Sequence, residues 1–520
     1  MKPETLRRYK TLHTWTGLIA GMALFIAFYA GAITVFHEAV DDWAAPAAQP
    51  MTAAMLDQAP ALIEAVVAQH PEAKGMLTLH VDETDGQILK AEWEDQPTDK
   101  HHAAWLDAAG KLQVVGDERS NLAELVNQLH FTAGIPEPVG TYALGIVSLL
   151  YALALISGIV IHLPALFKDL FALRIGDNLK RLWQDAHNVI GVLSLPFHVI
   201  FAVTGVLFAF HDVIFLAMNA VIYGGKGMEI LQGIFSTFMP LMPAGKPAAM
   251  LSAAELIERA RQLAPAMSIT DVTFHNIGDE HAFAWVFGQM PGHLAGNGGL
   301  ILNAVTGEVL HNMIPGERSP NWTVLYGFFS AHFGTFGGLP VKWMYFILGL
   351  AGAFLFYSGN LLWIESRRKR RQADQARNTD LMARATIGIC IGACFGISAT
   401  FVAAKLLPLM TREVVFWEQI VYYAVFLGSL AWAFLRGAPK AAMELLYATA
   451  LATILIPVSN ALVTGQHPVA SILSGRLAMA AIDITAILGA LAFLLIARAT
   501  RRRILRGQPN SVWTTATVYG

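Results

Sequence analysis

Long apolar segments alternate with charged segments along the chain, and their lengths predict a membrane protein. A helix needs about 20 apolar residues to cross a bilayer. The first apolar run is longer than the ~7–15-residue core of a cleaved signal peptide, so we expect it to remain as an anchor. Eight runs are long enough to span: 13–38, 140–163, 188–215, 340–363, 385–408, 414–435, 441–463 and 470–497. We therefore expect a polytopic α-helical membrane protein with about eight transmembrane helices.

Two long polar segments, residues 39–139 and 216–339, interrupt this pattern. Each begins with a stretch of helical periodicity, LIEAVVAQHP in the first and AAELIERARQLAP in the second. Each continues with alternating apolar and polar positions separated by turn residues, which is typical of strands. The pattern predicts two small α+β domains.

The first two-thirds of the chain carries an internal duplication. An offset of 174 residues pairs His13 with His187 and His37 with His211, and it also pairs Gly31 with Gly205. We expect a tandem parallel repeat of span, α+β domain and span, with a pseudo-two-fold axis along the membrane normal. The predicted units are residues 1–174, residues 175–371 and an appended four-helix membrane module at 372–520.

Basic residues indicate the orientation of the spans. Clusters of lysine and arginine precede the first span and follow the second, fourth, sixth and eighth spans. Because cytoplasmic loops carry an excess of these residues, we expect both termini in the cytoplasm and both α+β domains outside. The net charge of −2 gives no indication of a nucleic-acid partner. The two cysteines, Cys390 and Cys394, exclude a disulfide framework and a CxxCH haem-attachment motif.

Histidines are the candidate functional residues. Burying an ionisable side chain at membrane depth costs free energy, so such a residue is a functional candidate. The repeat predicts three pairs of ligands: His13 with His187, His37 with His211, and His130 with His332. The helix from His13 to His37 would rise ~36 Å, so one metal cannot bridge the two ends. Haem iron with two axial imidazoles suits such pairs, whereas zinc requires a tight cluster of four ligands. We expect two haem groups, one near each face.

Two further histidines break the symmetry. His162 ends the second span, and His198 lies within the third span. His198 follows His187 by eleven residues, so both would share one face of a straight helix. His198 would then either ligate a haem or donate a hydrogen bond to a propionate. On the last span, Arg476 and Asp483 would either pair structurally or line a quinol or proton path.

Several separated motifs resemble the PepSY-associated transmembrane helix family over about residues 1–370. They are LHTWTGLIAG, LHFTAG and the run IVIHLPALFKDLFALRIG…DAHNVIGVLSLPFHVIFAVTG. Members of that family include di-haem ferric-siderophore reductases of the inner membrane of Gram-negative bacteria. The resemblance implies two periplasmic PepSY-like domains and two haem b groups. It also implies that His13, His130, His187 and His332 are axial iron ligands, with His162 and His198 matching one branch of the family, whereas His37 and His211 rest on the repeat alone.

The resemblance implies transmembrane electron transfer in the bacterial inner membrane. A membrane quinol or a cytoplasmic reductase would donate the electron, because the chain shows no GxGxxG motif and no flavin domain. The acceptor would be a ferric siderophore in the periplasm. Two alternatives stay open: a haem-free PepSY-type binding or regulatory protein, and a transporter built on the parallel repeats.

Overall fold

The chain folds into two compact units. The computed structural model describes residues 3–44, 53–81, 89–95, 100–107, 109–116, 119–163, 178–227, 242–369, 371–372 and 374–514. The helical unit comprises Met1–Ala45, Ser120–Phe210 and Trp343–Gly520. The sheet unit comprises Pro46–Arg119 and His211–Lys342. The predicted repeat boundary at 174/175 lies outside the described residues.

Helices make up most of the described chain. In chain order the α-helices are α1 (Pro3–Thr34), α2 (His37–Ala44), α3 (Ala59–Gln69), α4 (Leu122–Thr132), α5 (Val139–His162), α6 (Leu179–Leu193), α7 (Leu195–Ala209), α8 (His211–Val221), α9 (Ala253–Leu263), α10 (Pro320–Phe333), α11 (Gly338–Ser366), α12 (Arg377–Thr386), α13 (Gly392–Leu406), α14 (Val414–Arg436), α15 (Ala438–Thr464), α16 (Pro468–Leu473) and α17 (Leu477–Arg506). A π-helical turn, Ile387–Ile391, joins α12 to α13.

Membrane-spanning helices dominate the helical unit. Within the described ranges, seven helices are long and apolar enough to cross a bilayer, and the bent pair α6–α7 makes up to eight. The expectation of a polytopic α-helical membrane protein is therefore confirmed. The appended residues contribute the span Arg377–Leu409 together with α14, α15 and α17. They pack in the same compact unit as α1, α2 and α4.

The third predicted span is not the single helix expected at 188–215. The segments Lys180–Leu193 and Leu195–Ala209 meet at an angle of 74°. Pro196 lies in the first turn of α7, where a proline is tolerated only because the helix begins there. The Ser194 hydroxyl donates to the carbonyl of Ile190 at 2.6 Å and closes the end of α6. The expectation that His187 and His198 share one helix face is therefore wrong.

The strands form one sheet where the sequence predicts two separate domains. The strands are β1 (Met76–His80), β2 (Lys90–Asp95), β3 (Lys100–Leu106), β4 (Leu112–Val115), β5 (Ser268–His275), β6 (Phe283–Gln289), β7 (Asn297–Asn303) and β8 (Val309–Asn312). Their order is β4-β3-β2-β1-β5-β6-β7-β8. The two halves meet through antiparallel pairing of β1 with β5, which places Leu79 opposite Val272. This pairing satisfies backbone groups that two separate domains would leave on open sheet edges.

A single hydrophobic core underlies the sheet. Helices α3 and α9 contribute Leu62 and Leu256, which are fully buried against Leu77 and Leu300 of the strands. Alternation along β1 sends Leu77 and Leu79 to this core and Thr78 and His80 to the opposite face. The apolar pattern therefore determines which face the two helices cover.

His80 is the centre of an ion-pair cluster on the face opposite the core. Its Nε2–H donates to Glu92 on β2 at 3.0 Å, and its Nδ1–H donates to Asp271 on β5 at 2.7 Å. Burial alone would lower the pKa of His80, but the hydrogen bonds to Asp271 and Glu92 raise its pKa to about 9. Lys90 lies 2.7 Å from the same Glu92 carboxylate, so its charge adds to that of His80 in lowering the pKa of Glu92. The cluster links three strands across the junction of the two halves.

We expect the change His80→Gln to destabilise the sheet and to flatten its pH dependence. The folded-state pKa of about 9 exceeds the ordinary value of 6.5. The charged form therefore contributes full stability below pH 6.5, about 3 kcal/mol, and loses it as the pH rises through 9. Thermal unfolding of the detergent-solubilised protein at both ends of this window measures the effect. The exposed His281 provides the control variant His281→Gln, and an equal pH dependence of wild type and His80→Gln would contradict the assignment.

Candidate functional site

His13 on α1 and His187 on α6 face each other inside the helical unit. Their ring centres are 6.1 Å apart, and the ring planes are inclined at 78°. The two residues occupy equivalent positions of the duplication, 174 residues apart. The fold thus brings together one of the three predicted histidine pairs.

The same local structure orients both imidazoles. Nδ1 of His13 lies 2.8 Å from the carbonyl oxygen of Ala154 on α5, and Nδ1 of His187 lies 3.1 Å from that of Leu355 on α11. Because a carbonyl only accepts, Nδ1 carries the proton and donates it in each case, and Nε2 keeps a lone pair. This arrangement is typical of metal-ligating histidines, whose second nitrogen is held by a carbonyl or carboxylate.

A serine and a glycine complete each orienting site. Ser157 donates to the Ala154 carbonyl at 3.0 Å, and Ser358 donates to the Leu355 carbonyl at 2.8 Å. A Cβ added at the following glycine would lie 3.2 Å from His13 at Gly158 and 3.3 Å from His187 at Gly359. Glycine therefore lets each imidazole lie directly on the neighbouring helix.

His130, in the last turn of α4, repeats this arrangement near the other end of α1. Its Nδ1 donates to the carbonyl oxygen of Ala27 at 2.7 Å. A Cβ at Gly31 would lie 2.5 Å from this nitrogen, so glycine is required there. His130 therefore has the same tautomer and the same kind of glycine contact as His13 and His187.

The members of each remaining predicted pair belong to different units. His332 lies in the last turn of α10 in the sheet unit, as His130 does in α4. His37 lies 3.7 Å from Glu124, and this carboxylate raises the pKa of His37. His211 lies 3.0 Å from Asp212 and is exposed. The structure thus places His37 and His211 each beside a carboxylate. His162 is the last residue of α5.

His198 is almost completely buried, with 1% of its surface exposed. The Tyr151 hydroxyl lies 2.6 Å from Nδ1 of His198 and donates a hydrogen bond to the backbone carbonyl oxygen of His198 at 3.2 Å. The hydroxyl therefore accepts from Nδ1–H, and Nε2 of His198 is left buried without a hydrogen-bond partner. A Cβ at Gly352 would lie 3.3 Å from the ring. His198 shares its tautomer with the three carbonyl-bound histidines.

Aromatic rings surround His198 and connect two of the orienting carbonyls. Phe28 follows Ala27 on α1, Phe356 follows Leu355 on α11, and the two rings are 5.0 Å apart. Tyr151 lies 5.6 Å from Phe356, and His198 lies 5.7 Å from Phe28. A continuous aromatic cluster thus adjoins the residues that orient His187 and His130.

The spacing of His13 and His187 would allow both imidazoles to hold one metal centre. Two imidazoles bound to one metal at nitrogen distances of about 2 Å would have ring centres up to roughly 6 Å apart, and the observed separation is 6.1 Å. Within the described part of the chain, no group of three or more His, Cys, Asp or Glu side chains is arranged to hold a metal ion. Haem iron needs only two axial ligands from the protein, so the donor set suits it.

The groups that orient these histidines could not be predicted from the sequence. A backbone carbonyl has no residue type, so the sequence does not show which one accepts from a histidine. The recurrence of Ser157-Gly158 as Ser358-Gly359 in the second repeat is the one indication that the sequence offers. Asp483 has partners that the sequence did not predict. Its carboxylate accepts from Trp43 Nε1 and from Asn460 Nδ2, each at 2.9 Å. Arg476 lies at the N-cap of α17, before its first turn.

We expect Tyr151→Phe to destabilise the helical unit, because it leaves both ring nitrogens of His198 buried without a partner. An unsatisfied buried polar group costs about 1–3 kcal/mol. A lower midpoint of thermal unfolding in detergent would measure this loss. Tyr142→Phe, on an exposed face of the same helix, is the control, and equal midpoints for the two variants would show that the hydroxyl contributes nothing.

Comparison with known proteins identifies the family. The profile of the family described as PepSY-associated TM region matches residues 10–366, which is more than half of the chain. No curated protein matches the sequence. The matched region contains all the histidines discussed above and ends before the appended helices. The chain therefore belongs to the PepSY-associated TM family.

Proposed function

We propose that this protein is a di-haem electron carrier of the bacterial inner membrane that reduces ferric siderophores in the periplasm. The observation that carries the proposal is the pair His13 and His187, whose rings face each other 6.1 Å apart. Both rings are held in the tautomer that leaves Nε2 as a ligand. Membership of the PepSY-associated TM family supports the same assignment.

Each residue of the site would have a distinct role in holding a haem. His13 and His187 would hold one haem b, and His130, which has the same tautomer, would be a ligand of the second. The carbonyls of Ala154 and Leu355 fix the ring orientation and increase the basicity of the ligand nitrogen. Haem b held in this way supplies one-electron redox chemistry.

Orientation follows from the basic clusters around the spans. Lysine and arginine before the first span and after the second, fourth, sixth and eighth spans favour cytoplasmic termini. The sheet unit would then lie in the periplasm, where it would receive the ferric siderophore as substrate. One electron converts Fe(III) to Fe(II), which binds hard oxygen ligands less tightly, so the iron is released. A membrane quinol or a cytoplasmic reductase would supply that electron.

The purified protein is expected to contain about two b-type haems per chain. Absorption spectra before and after dithionite, with a pyridine haemochrome count, measure their number and ligation. Sharp low-spin bands would support two axial imidazoles. A colourless protein from haem-replete cells would contradict the proposal and favour a haem-free binding or regulatory protein, or a transporter.

The double change His13→Ala, His187→Ala is expected to remove one haem and to spare the other. The two imidazoles are neighbours, with ring centres 6.1 Å apart, whereas His130 contacts Ala27, near the other end of α1. The haemochrome count of the folded variant should therefore fall from about two to about one. The double change His281→Ala, His293→Ala, which removes two histidines of the sheet unit, is the matched control. Loss of both haems or of neither from a folded variant would disprove the paired-ligand assignment.

A further inference from the structure

Helix α4, which carries His130, receives its N-terminal cap from another helix. Its N-cap residue Asn121 makes no side-chain cap of its own. Instead the backbone N–H of Asn121 donates to Glu418 on α14 at 2.9 Å, and the Ser120 hydroxyl donates to the same carboxylate. The Ser120 oxygen in turn accepts from the N–H of Leu122 at 3.3 Å. Glu418 thus satisfies groups that a helix start leaves without partners.

The other end of α4 is held by the same helix α14. The chain leaves α4 through Ala133 and Gly134, both at positive φ. The hydroxyl of Tyr423 donates to the carbonyl of Gly134 at 2.9 Å. Tyr423 follows Glu418 by five residues, so one short stretch of α14 contacts both ends of α4.

Glu418 is a costly residue for this place. It is 1% exposed and lies in a helix that is apolar enough to span a membrane. The positive end of the α4 dipole favours a carboxylate at this position, and the two hydrogen bonds add to that stabilisation. A buried carboxylate with these partners holds the start of α4 at one height along α14.

A second polar contact holds α2, which packs against α4. Trp43 at the end of α2 donates its indole N–H to Asp483 on α17 at 2.9 Å. Lys405 on α13 donates to the Trp43 carbonyl, and its Nζ lies 4.3 Å from the centre of the indole ring. Trp43 belongs to the same buried cluster as Leu125 and Leu129 of α4. Three helices of the appended module therefore contact α2 and α4 through buried polar side chains.

We infer that the appended four-helix module is a brace that positions α4, and with it the imidazole of His130. Glu418 and Tyr423 are the positioning residues. The module lies outside the matched family region, which ends at residue 366. The effect on α4 stands on these contacts alone, whereas the effect on a haem rests on the proposed function.

Hydrogen exchange of the full-length protein tests the brace directly. We expect the double change Glu418→Ala, Tyr423→Phe to speed amide exchange in the α4 peptide by about tenfold or more, because the hydrogen bonds from α14 to both ends of α4 are lost. Exchange in α5 should not change. Glu444→Gln, which breaks an ion pair with Arg436 elsewhere in the module, is the control. Unchanged exchange in α4 would overturn the inference.

Haem spectroscopy tests the consequence for His130. The double variant should lower the occupancy, or shift the midpoint potential, of the component that His130→Ala removes, and should leave the component of His13 and His187 unchanged. Glu418→Gln keeps an acceptor for Asn121 and should restore part of the occupancy. A variant with fast exchange in α4 and two unaltered haems would disprove the positioning of His130.

A colourless wild-type protein would refute the proposed function. The hydrogen-exchange result would still test whether the module positions α4, because that test does not depend on haem. Should the double variant fail to fold, Tyr423→Phe alone removes the bond to Gly134. It should then speed exchange only in the last turn of α4, and unchanged exchange there would count against the brace.

Discussion

Hydrogen bonds from histidine Nδ1–H groups to helix carbonyls organise the interior of the helical unit. His13, His187 and His130 each make one, to Ala154, Leu355 and Ala27. An imidazole in an apolar interior must satisfy its N–H group, and a carbonyl can do so only as an acceptor. Each bond therefore determines the tautomer, fixes the ring on a neighbouring helix, and directs Nε2 away from that helix. Ligand chemistry and helix packing thus depend on the same contact.

That contact restricts the neighbouring residues. Gly158, Gly359 and Gly31 lie where a Cβ would meet an imidazole at 3.3 Å or less. Ser157 and Ser358, which precede two of these glycines, each donate a hydrogen bond to the carbonyl oxygen that also accepts one from the histidine. The pattern of histidine, serine and glycine is therefore one arrangement spread over separate helices.

The bend between α6 and α7 has a consequence for function. It separates His187 from His198, so His198 is placed among Phe28, Tyr151 and Phe356 instead of beside the first histidine pair. The Tyr151 hydroxyl is then the hydrogen-bond partner of Nδ1 of His198, whereas backbone carbonyls are the partners of Nδ1 in the other histidines. The start of α4 is a second example. The Asn121 side chain does not cap the helix, and Glu418 of a helix distant in sequence accepts the hydrogen bond from the backbone N–H of Asn121. In both cases a helix that is distant in sequence satisfies the buried polar group.

The sequence by itself determined that most of the long apolar segments are spanning helices, because the length of an apolar segment is a property of residue type alone. It also predicted the pair His13 and His187, as one of three pairs at equivalent positions of the repeat, and the structure places their ring centres 6.1 Å apart. Only the tertiary structure decided that β1 and β5 join two halves into one sheet, because backbone pairing between edges needs no particular side chain. The carbonyl partners of the histidines and the brace from Glu418 to α4 were likewise invisible, since a backbone oxygen has no residue identity and Glu418 lies 297 positions from Asn121.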